Sequence, residues 1–165
     1  MNPILSHDSE KLTTSSQSAG AHLSLLVVVR FLKTSPSFAL SRLLLHLGCF
    51  DLSFLPAARN YSKTLIISPL IVQKFREAFL PNMSAEEARH PSISPYYEDL
   101  APFSGRLPPA LLTCGMDDML LDDSVVMGTK WLMGGGEGGG EDIPWSGAWV
   151  PYIPGEELQG GGYGD

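Results

Sequence analysis

Polar and apolar residues follow one another along this chain in segments that predict strands and helices in turn. Short strand-like runs occupy residues 11–15, 42–48 and 109–114. Residues 21–33 are apolar on almost every side; their length favours a helix, whereas their three consecutive valines favour a strand. Because alternating strands and helices build parallel sheets covered by helices, the pattern predicts an α/β fold.

Two serines predict where helices begin. Ser68 precedes a proline, which is favoured at the first helical position, and then a segment with one apolar stripe. The stripe consists of Ile71, Val72, Phe75 and Phe79. Ser84 and Glu87 have the spacing of a capping box and predict a short helix. A further helix is predicted over Leu121–Met133, whereas residues 91–106 are predicted to be a proline-rich loop.

The composition changes abruptly after residue 133. Residues 134–165 hold twelve of the seventeen glycines and six acidic residues, but no lysine or arginine. Such a segment cannot recover by burial the entropy that it loses on ordering. We therefore divide the chain into an irregular N-terminus at 1–10, a folded domain at 11–133 and a glycine-rich acidic tail at 134–165 that is predicted to be largely disordered.

The charge of the chain gives little reason to expect a charged partner. The net charge is −7, but the tail carries six of the acids, so residues 1–133 are close to neutral. This balance is not typical of a nucleic-acid-binding protein, and the longest apolar stretch, 23–32, is too short to span a bilayer. Cys49 and Cys114 are expected to be buried free thiols in a reducing compartment. The sequence therefore predicts a soluble cytoplasmic protein.

A turn of small residues around Ser18 is the first candidate for chemistry. Nucleophilic acyl transfer needs a hydroxyl held away from the backbone and an N–H that stabilises the oxyanion. A sharp strand-to-helix turn, the nucleophile elbow, provides both, and small residues two positions on either side let the chain bend. Ser16 and Gly20 hold those positions, so Ser18 is the candidate nucleophile and the Ala19 N–H the candidate oxyanion donor. Alone this pattern is weak, because similar sequences are common in polar loops.

Four longer stretches make the interpretation more specific. They are Ser18–Leu23, Gly48–Ser53, Ser94–Leu100 and Pro108–Asp123. On these stretches the sequence resembles the hormone-sensitive-lipase-like carboxylesterases, the fold-3 branch of the α/β hydrolases. The resemblance implies a partial α/β-hydrolase fold at 11–133, with helices on the faces of a parallel sheet. It also implies a serine hydrolase that acts on small acyl esters and needs no metal or organic cofactor.

The resemblance also assigns the acid of a catalytic triad. In the family this aspartate precedes a Pro-Leu pair, and Met119-Leu120 holds that place, which selects Asp118. Asp51 is expected to anchor its loop by accepting backbone hydrogen bonds. The other acids nearby are expected to be solvated charges at the start of a helix, namely Asp117, Asp122 and Asp123.

The third triad member, a histidine downstream of the acid, is missing, because the last histidine is His90. His22 and His46 are expected to be structural, and His90 is expected to be a loop residue. The family's His-Gly-Gly oxyanion loop, expected well upstream of Ser18, is missing too. We therefore expect a truncated serine hydrolase of the carboxylesterase or lipase type with negligible activity, since losing a triad member costs several orders of magnitude in rate. The alternative is a non-catalytic remnant, an interaction module or unstable product, that self-associates through an exposed sheet edge.

Overall fold

The fold is an α/β sheet whose strands all run in the same direction. A computed structural model describes residues 12–63, 67–135 and the strand 149–152. The strands are β1 (Thr13–Gln17), β2 (Arg42–His46), β3 (Ala110–Gly115) and β4 (Trp149–Tyr152). They lie in the order β1-β2-β3-β4, and each pair of neighbours is parallel. The carboxyl ends of the strands therefore meet at one edge of the sheet, as the sequence predicted for an α/β fold.

Helices connect the strands. They are α1 (Ala19–Thr34), α2 (Pro56–Asn60), α3 (Pro69–Phe79), α4 (Ala85–Ala88) and α5 (Leu121–Met133), with short 3₁₀ turns at Pro95–Tyr97 and Ala101–Phe103. The capping predictions are confirmed: the Ser68 Oγ accepts from the Ile71 N–H, and Ser84 and Glu87 form a complete capping box. None of the helices that the structure describes is long and apolar enough to cross a membrane.

The core lies on one face of the sheet, between the strands and the two longest helices. Its residues include Leu25, Val28, Val29 and Leu32 of α1, Leu43 and Leu45 of β2, Leu112 of β3, and Met127 and Trp131 of α5. The indole Nε1 of Trp131 donates to the carbonyl of Pro108 at 2.9 Å, which satisfies its only polar atom. Because both helices pack on this core, α1 begins close to the carboxyl end of β1, and α5 begins close to the carboxyl end of β3.

The ambiguous segment 21–33 is a helix. Its buried positions recur at helical spacing, because Ala21, Leu25, Val28 and Leu32 are all at most 3% exposed while Val27 is 50% exposed. Two neighbouring parallel strands also need a long crossover connection, which a helix supplies. Packing and topology therefore outweigh the strand preference of the three valines.

The structure adds elements that the sequence did not predict. Residues Trp149–Tyr152 form β4 within the segment 134–165, and the rest of 136–165 lies outside the described residues, so the disorder predicted for most of that segment stays a prediction. Trp149 and Tyr152 are aromatic and Val150 is β-branched, which favours a strand; an edge strand tolerates Pro151, and β3 offers this segment a free edge. In addition, β1 lies two residues later than predicted, and α2 was not predicted.

Candidate active site

Ser18 occupies the single residue between β1 and α1. Its backbone has φ 53° and ψ −124°, in the left-handed half of conformational space that L residues rarely adopt. Its N–H donates to the carbonyl of His46 at 2.8 Å, and its exposed side chain makes no capping hydrogen bond. A non-glycine residue in such a conformation stores about 1–3 kcal/mol of strain. The turn therefore holds the hydroxyl out of the backbone at the carboxyl edge of the sheet.

The small residues on either side of Ser18 face each other across the turn. A Cβ atom placed on Gly20 would lie 3.6 Å from the Cβ of Ser16, which is ordinary van der Waals contact. The sequence expectation that both positions need small residues therefore agrees with their close approach. The turn therefore has room for a methyl group at position 20.

The N–H of Ala19 is available for a ligand. Because Ala19 is the first residue of α1, its N–H has no acceptor within the helix. By contrast, the N–H groups of Ala21 and His22 both donate to the Ser18 carbonyl, at 2.9 and 3.2 Å. Among the described residues no other acceptor reaches the Ala19 N–H. It lies one residue from the Ser18 hydroxyl, at the positive end of the helix dipole.

Asp118 lies three residues beyond β3, at the same edge as Ser18. Its N–H donates to the Gly115 carbonyl at 3.1 Å, and its Oδ1 accepts from the Leu120 N–H at 2.8 Å. These local bonds fix the half-buried carboxyl and leave Oδ2 without a protein partner in the part of the chain that the structure describes. β2 separates β1 from β3, so the two strand ends lie about 10 Å apart, which is two strand spacings.

Asp117 differs from Asp118 in its surroundings. Its exposed carboxylate forms an ion pair with Lys63, and its carbonyl accepts from the Tyr61 hydroxyl at 2.7 Å. The Asp117 carboxylate is thus engaged at the surface, as predicted for a solvated charge, whereas the neighbouring carboxyl of Asp118 keeps one oxygen available.

The imidazole of each described histidine hydrogen-bonds to a group other than the side chains of Ser18 and Asp118. His22 is buried, and its Nδ1 donates to the Cys49 carbonyl at 2.7 Å; burial lowers the pKa of His22, which keeps the ring neutral. His46 pairs its Nδ1 with the Thr113 hydroxyl at 2.5 Å, and His90 pairs with the Ser92 hydroxyl at 2.8 Å. The contacts of His22 and His46 are structural, as expected from the sequence.

Asp123 was missed by the sequence analysis. It was expected to be a solvated charge, but it is fully buried, and its Oδ1 accepts from the N–H groups of Phe50 and Asp51 at 2.6 and 2.8 Å. Burial raises the pKa of Asp123 to about 7. The residue ties α5 to the loop that follows β2. The position of Asp123 near the start of α5 does not predict this role, because the loop that Asp123 holds lies about seventy residues earlier in the chain.

Two further acids hold the loop after β2. Asp51 is buried. Its Oδ1 accepts from the Ser53 N–H at 2.7 Å, and its Oδ2 accepts from the Tyr97 hydroxyl at 2.9 Å. The prediction that Asp51 anchors its loop is therefore confirmed. Asp122 was expected to be solvated, but its Oδ2 accepts from the Ala57 N–H at 2.8 Å and so positions α2. The loop between β2 and α2 is therefore fixed from several sides.

Neither cysteine is a candidate nucleophile. Burial raises the pKa of Cys114 to about 12 and that of Cys49 well above its ordinary value, so both thiols stay protonated near neutral pH. Within 12–63, 67–135 and 149–152, no three His, Cys, Asp or Glu side chains come together in a way that could hold a metal ion.

Comparison with known proteins defines the class. Residues 3–138 match the family described as the alpha/beta hydrolase fold, and the chain belongs to that family. The parallel sheet and the strained serine between a strand and a helix are in keeping with this membership. A comparison with curated protein sequences finds no match.

Solved esterase structures share the fold. Crystal structures of EstE5 include one with a TM-score of 0.62 and 25% identity, matched over 75% of this chain and 40% of that chain. A hormone-sensitive lipase from a metagenome library has a TM-score of 0.63 at 23% identity, over 74% of this chain and 40% of that one. A thermostable esterase from Pseudomonas putida ECU1011 has a TM-score of 0.66 at 21% identity, over 76% and 38%. The chain thus spans about two fifths of the length of these enzymes.

Proposed function

We propose that this chain is a serine hydrolase of the carboxylesterase or lipase type that acts on acyl esters. Ser18 is the nucleophile, the Ala19 N–H is an oxyanion donor, and Asp118 is the acid that orients a base. The observation that carries the proposal is the strained backbone of Ser18, φ 53° at a strand-to-helix junction, beside the Ala19 N–H, which has no acceptor among the residues that the structure describes. The esterases with which the chain shares its fold support the substrate class.

The proposed chemistry has two steps. The Ser18 Oγ attacks the ester carbonyl carbon while its proton passes to a base, and the oxyanion that forms accepts from the Ala19 N–H. The tetrahedral intermediate collapses with loss of the alcohol, which takes up a proton, and leaves an acyl group on Ser18. Water then attacks the acyl-enzyme, releases the acid and returns the proton to the serine.

The mechanism also needs a base. No histidine follows Asp118 in these 165 residues, so when this stretch of chain is assayed by itself, water or an added base accepts the serine proton. Enzymes without one triad member keep only a residual acceleration of roughly 10³–10⁴ over water. We therefore expect slow turnover that added imidazole increases, because imidazole can occupy the place of the absent side chain beside Asp118.

Labelling with a fluorophosphonate probe in the presence of imidazole tests the proposal. We expect the probe to modify Ser18, and we expect imidazole to raise the Ser18-dependent hydrolysis of p-nitrophenyl butyrate. Ser18→Ala should abolish both effects, whereas Ser15→Ala, which alters an exposed serine of β1, should keep them. Subtracting the Ser18→Ala rate removes direct hydrolysis by imidazole. Equal labelling and equal rates in the wild-type chain and Ser18→Ala would refute the proposal.

One observation favours the alternative, a non-catalytic interaction module. β1 is an edge strand of the described sheet, and next to it Leu23, Val27 and Phe31 of α1 are about half exposed. An apolar surface beside an open strand edge favours association with another chain. Sedimentation of the purified chain tests this alternative, because a monomer at micromolar concentration would contradict it.

A further inference from the structure

A cleft opens beside Asp118, outside the carboxyl ends of β2 and β3. Its volume is about 410 Å³. The residues that matter for its chemistry are Phe54, Arg59, Gln73, Arg76, Glu77 and Met119. They come from the segment after β2, from α3 and from the residue that follows Asp118. Crevices at this edge are where open α/β sheets bind their ligands.

The helix that borders this cleft contributes polar side chains to it. Gln73, Arg76 and Glu77 of α3 line the cleft; Arg76 is half-buried and the other two are exposed. Of the apolar stripe, Val72 packs against the cluster formed by Ala58, Cys114, Met119 and Leu120, whereas Phe75 and Phe79 are 65% and 57% exposed. The polar residues that α3 adds to the lining suit a polar ligand group.

The charge in the cleft is positive. Arg76 is fixed by backbone carbonyls alone: its Nε donates to Leu52 at 2.7 Å, and its Nη2 donates to Met83 and Ser84 at 3.2 and 3.3 Å. Carbonyls orient a guanidinium without neutralising it. Arg59 likewise forms no ion pair among the described residues.

One carboxylate accompanies these two arginines. Glu77 lines the same cleft, and its Oε1 already accepts from the Gln73 amide at 2.8 Å. The charged side chains that line the cleft therefore sum to one positive charge, and Asp118, next to the lining residue Met119, does not line it. Phe54 and Met119 add apolar surface on which a short alkyl chain can pack.

We propose that this cleft binds the free carboxylate of an ester substrate, so that the chain acts on monoesters of short dicarboxylic acids. The arginines Arg59 and Arg76 pair with the carboxylate, and the alkyl chain lies against Phe54 and Met119. This specificity rests on the proposed hydrolase function, because it assumes that the ester end of the substrate reaches Ser18. The carboxylate-binding part of the proposal does not depend on catalysis.

Binding to the Ser18→Ala chain tests the site without chemistry. The probes are monomethyl adipate, which carries one carboxylate, and dimethyl adipate, which is its neutral counterpart. We expect calorimetric titration to show that the monoester binds at least about tenfold more tightly, because a charged carboxylate pairs with guanidinium groups. Arg59→Gln should remove most of that preference, and raising the salt concentration should weaken it. Arg30→Gln is the matched control, since Arg30 is an exposed arginine of α1 that does not line the cleft.

A second variant protects the test against a folding defect. Arg76→Lys keeps the positive charge but loses the planar guanidinium that three carbonyls hold, so we expect it to weaken monoester binding less than Arg59→Gln. Equal affinity for the two adipates, or an equal loss in Arg30→Gln and Arg59→Gln, would overturn the carboxylate site. Absent labelling of Ser18 by fluorophosphonate would instead overturn the hydrolase function, so the two failures are distinguishable.

Discussion

The strained backbone of Ser18 predicts a reversal in the usual effect of glycine. At φ 53° and ψ −124° the Cβ atom of a residue causes backbone strain, and the strain energy of alanine is nearly the same as that of serine. Glycine has no Cβ, so Ser18→Gly should release about 2 kcal/mol of strain. It also raises the entropy of the unfolded chain, which costs about 1 kcal/mol. We therefore expect Ser18→Gly to be about 1 kcal/mol more stable than Ser18→Ala.

Ser24 supplies the matched control. It lies within α1, where alanine is the better helix former, so Ser24→Ala should be more stable than Ser24→Gly by about 1 kcal/mol. Urea unfolding of the four variants, followed by circular dichroism at one protein concentration, measures both differences. A more stable alanine variant at both positions would refute the strained conformation of Ser18, and with it the turn on which the proposed mechanism depends.

Further stability predictions follow from buried contacts. A Cβ on Gly48 would overlap the buried ring of Phe50, so Gly48→Ala should destabilise the chain by about 1–3 kcal/mol. Nothing lies within 4 Å of a Cβ on Gly128, so Gly128→Ala should stabilise α5 by about 1 kcal/mol. Urea unfolding measures both changes in the free energy of unfolding. Ser84→Ala removes a capping box and should cost about 1 kcal/mol, seen as faster proteolysis next to α4; an unchanged cleavage rate would contradict it. The unfolded chain releases the Asp123 proton near pH 3.8, whereas the folded chain keeps it until about pH 7. Raising the pH across that window should therefore lower the free energy of unfolding by up to about 1.4 kcal/mol per pH unit. Asp123→Asn should flatten this slope in urea titrations at successive pH values, and an unchanged slope would contradict the prediction.

The sequence predicts the parts of this fold that local patterns encode. The bounds of α5 agree with the prediction at both ends, and the starts of α3 and α4 follow from Ser68 and Ser84, because capping is a contact between residues a few positions apart. The same reasoning identifies the Ser18 turn, because a serine with small neighbours between a strand and a helix forms a local motif.

Long-range contacts account for what the sequence analysis missed. The role of Asp123 depends on a loop about seventy residues away, and β4 depends on the free edge of β3. The amphipathic pattern of α3 is correctly predicted, but a pattern gives no indication of which side faces the protein. The exposure of Phe75 and Phe79 is therefore visible only in three dimensions.

The structure separates two requirements of the proposed catalysis. The position of the nucleophile depends on the hydrogen bond from Ser18 to His46 and on the packing of α1 against the sheet, and both belong to the core of the fold. In a triad arranged in the order serine, acid, histidine, the proton acceptor is a residue that follows the acid in the chain, which the core does not position. Glycine at this turn would release the strain that serine carries at φ 53°, so the conformation costs stability, and the proposed nucleophile is a reason for a serine to occupy it.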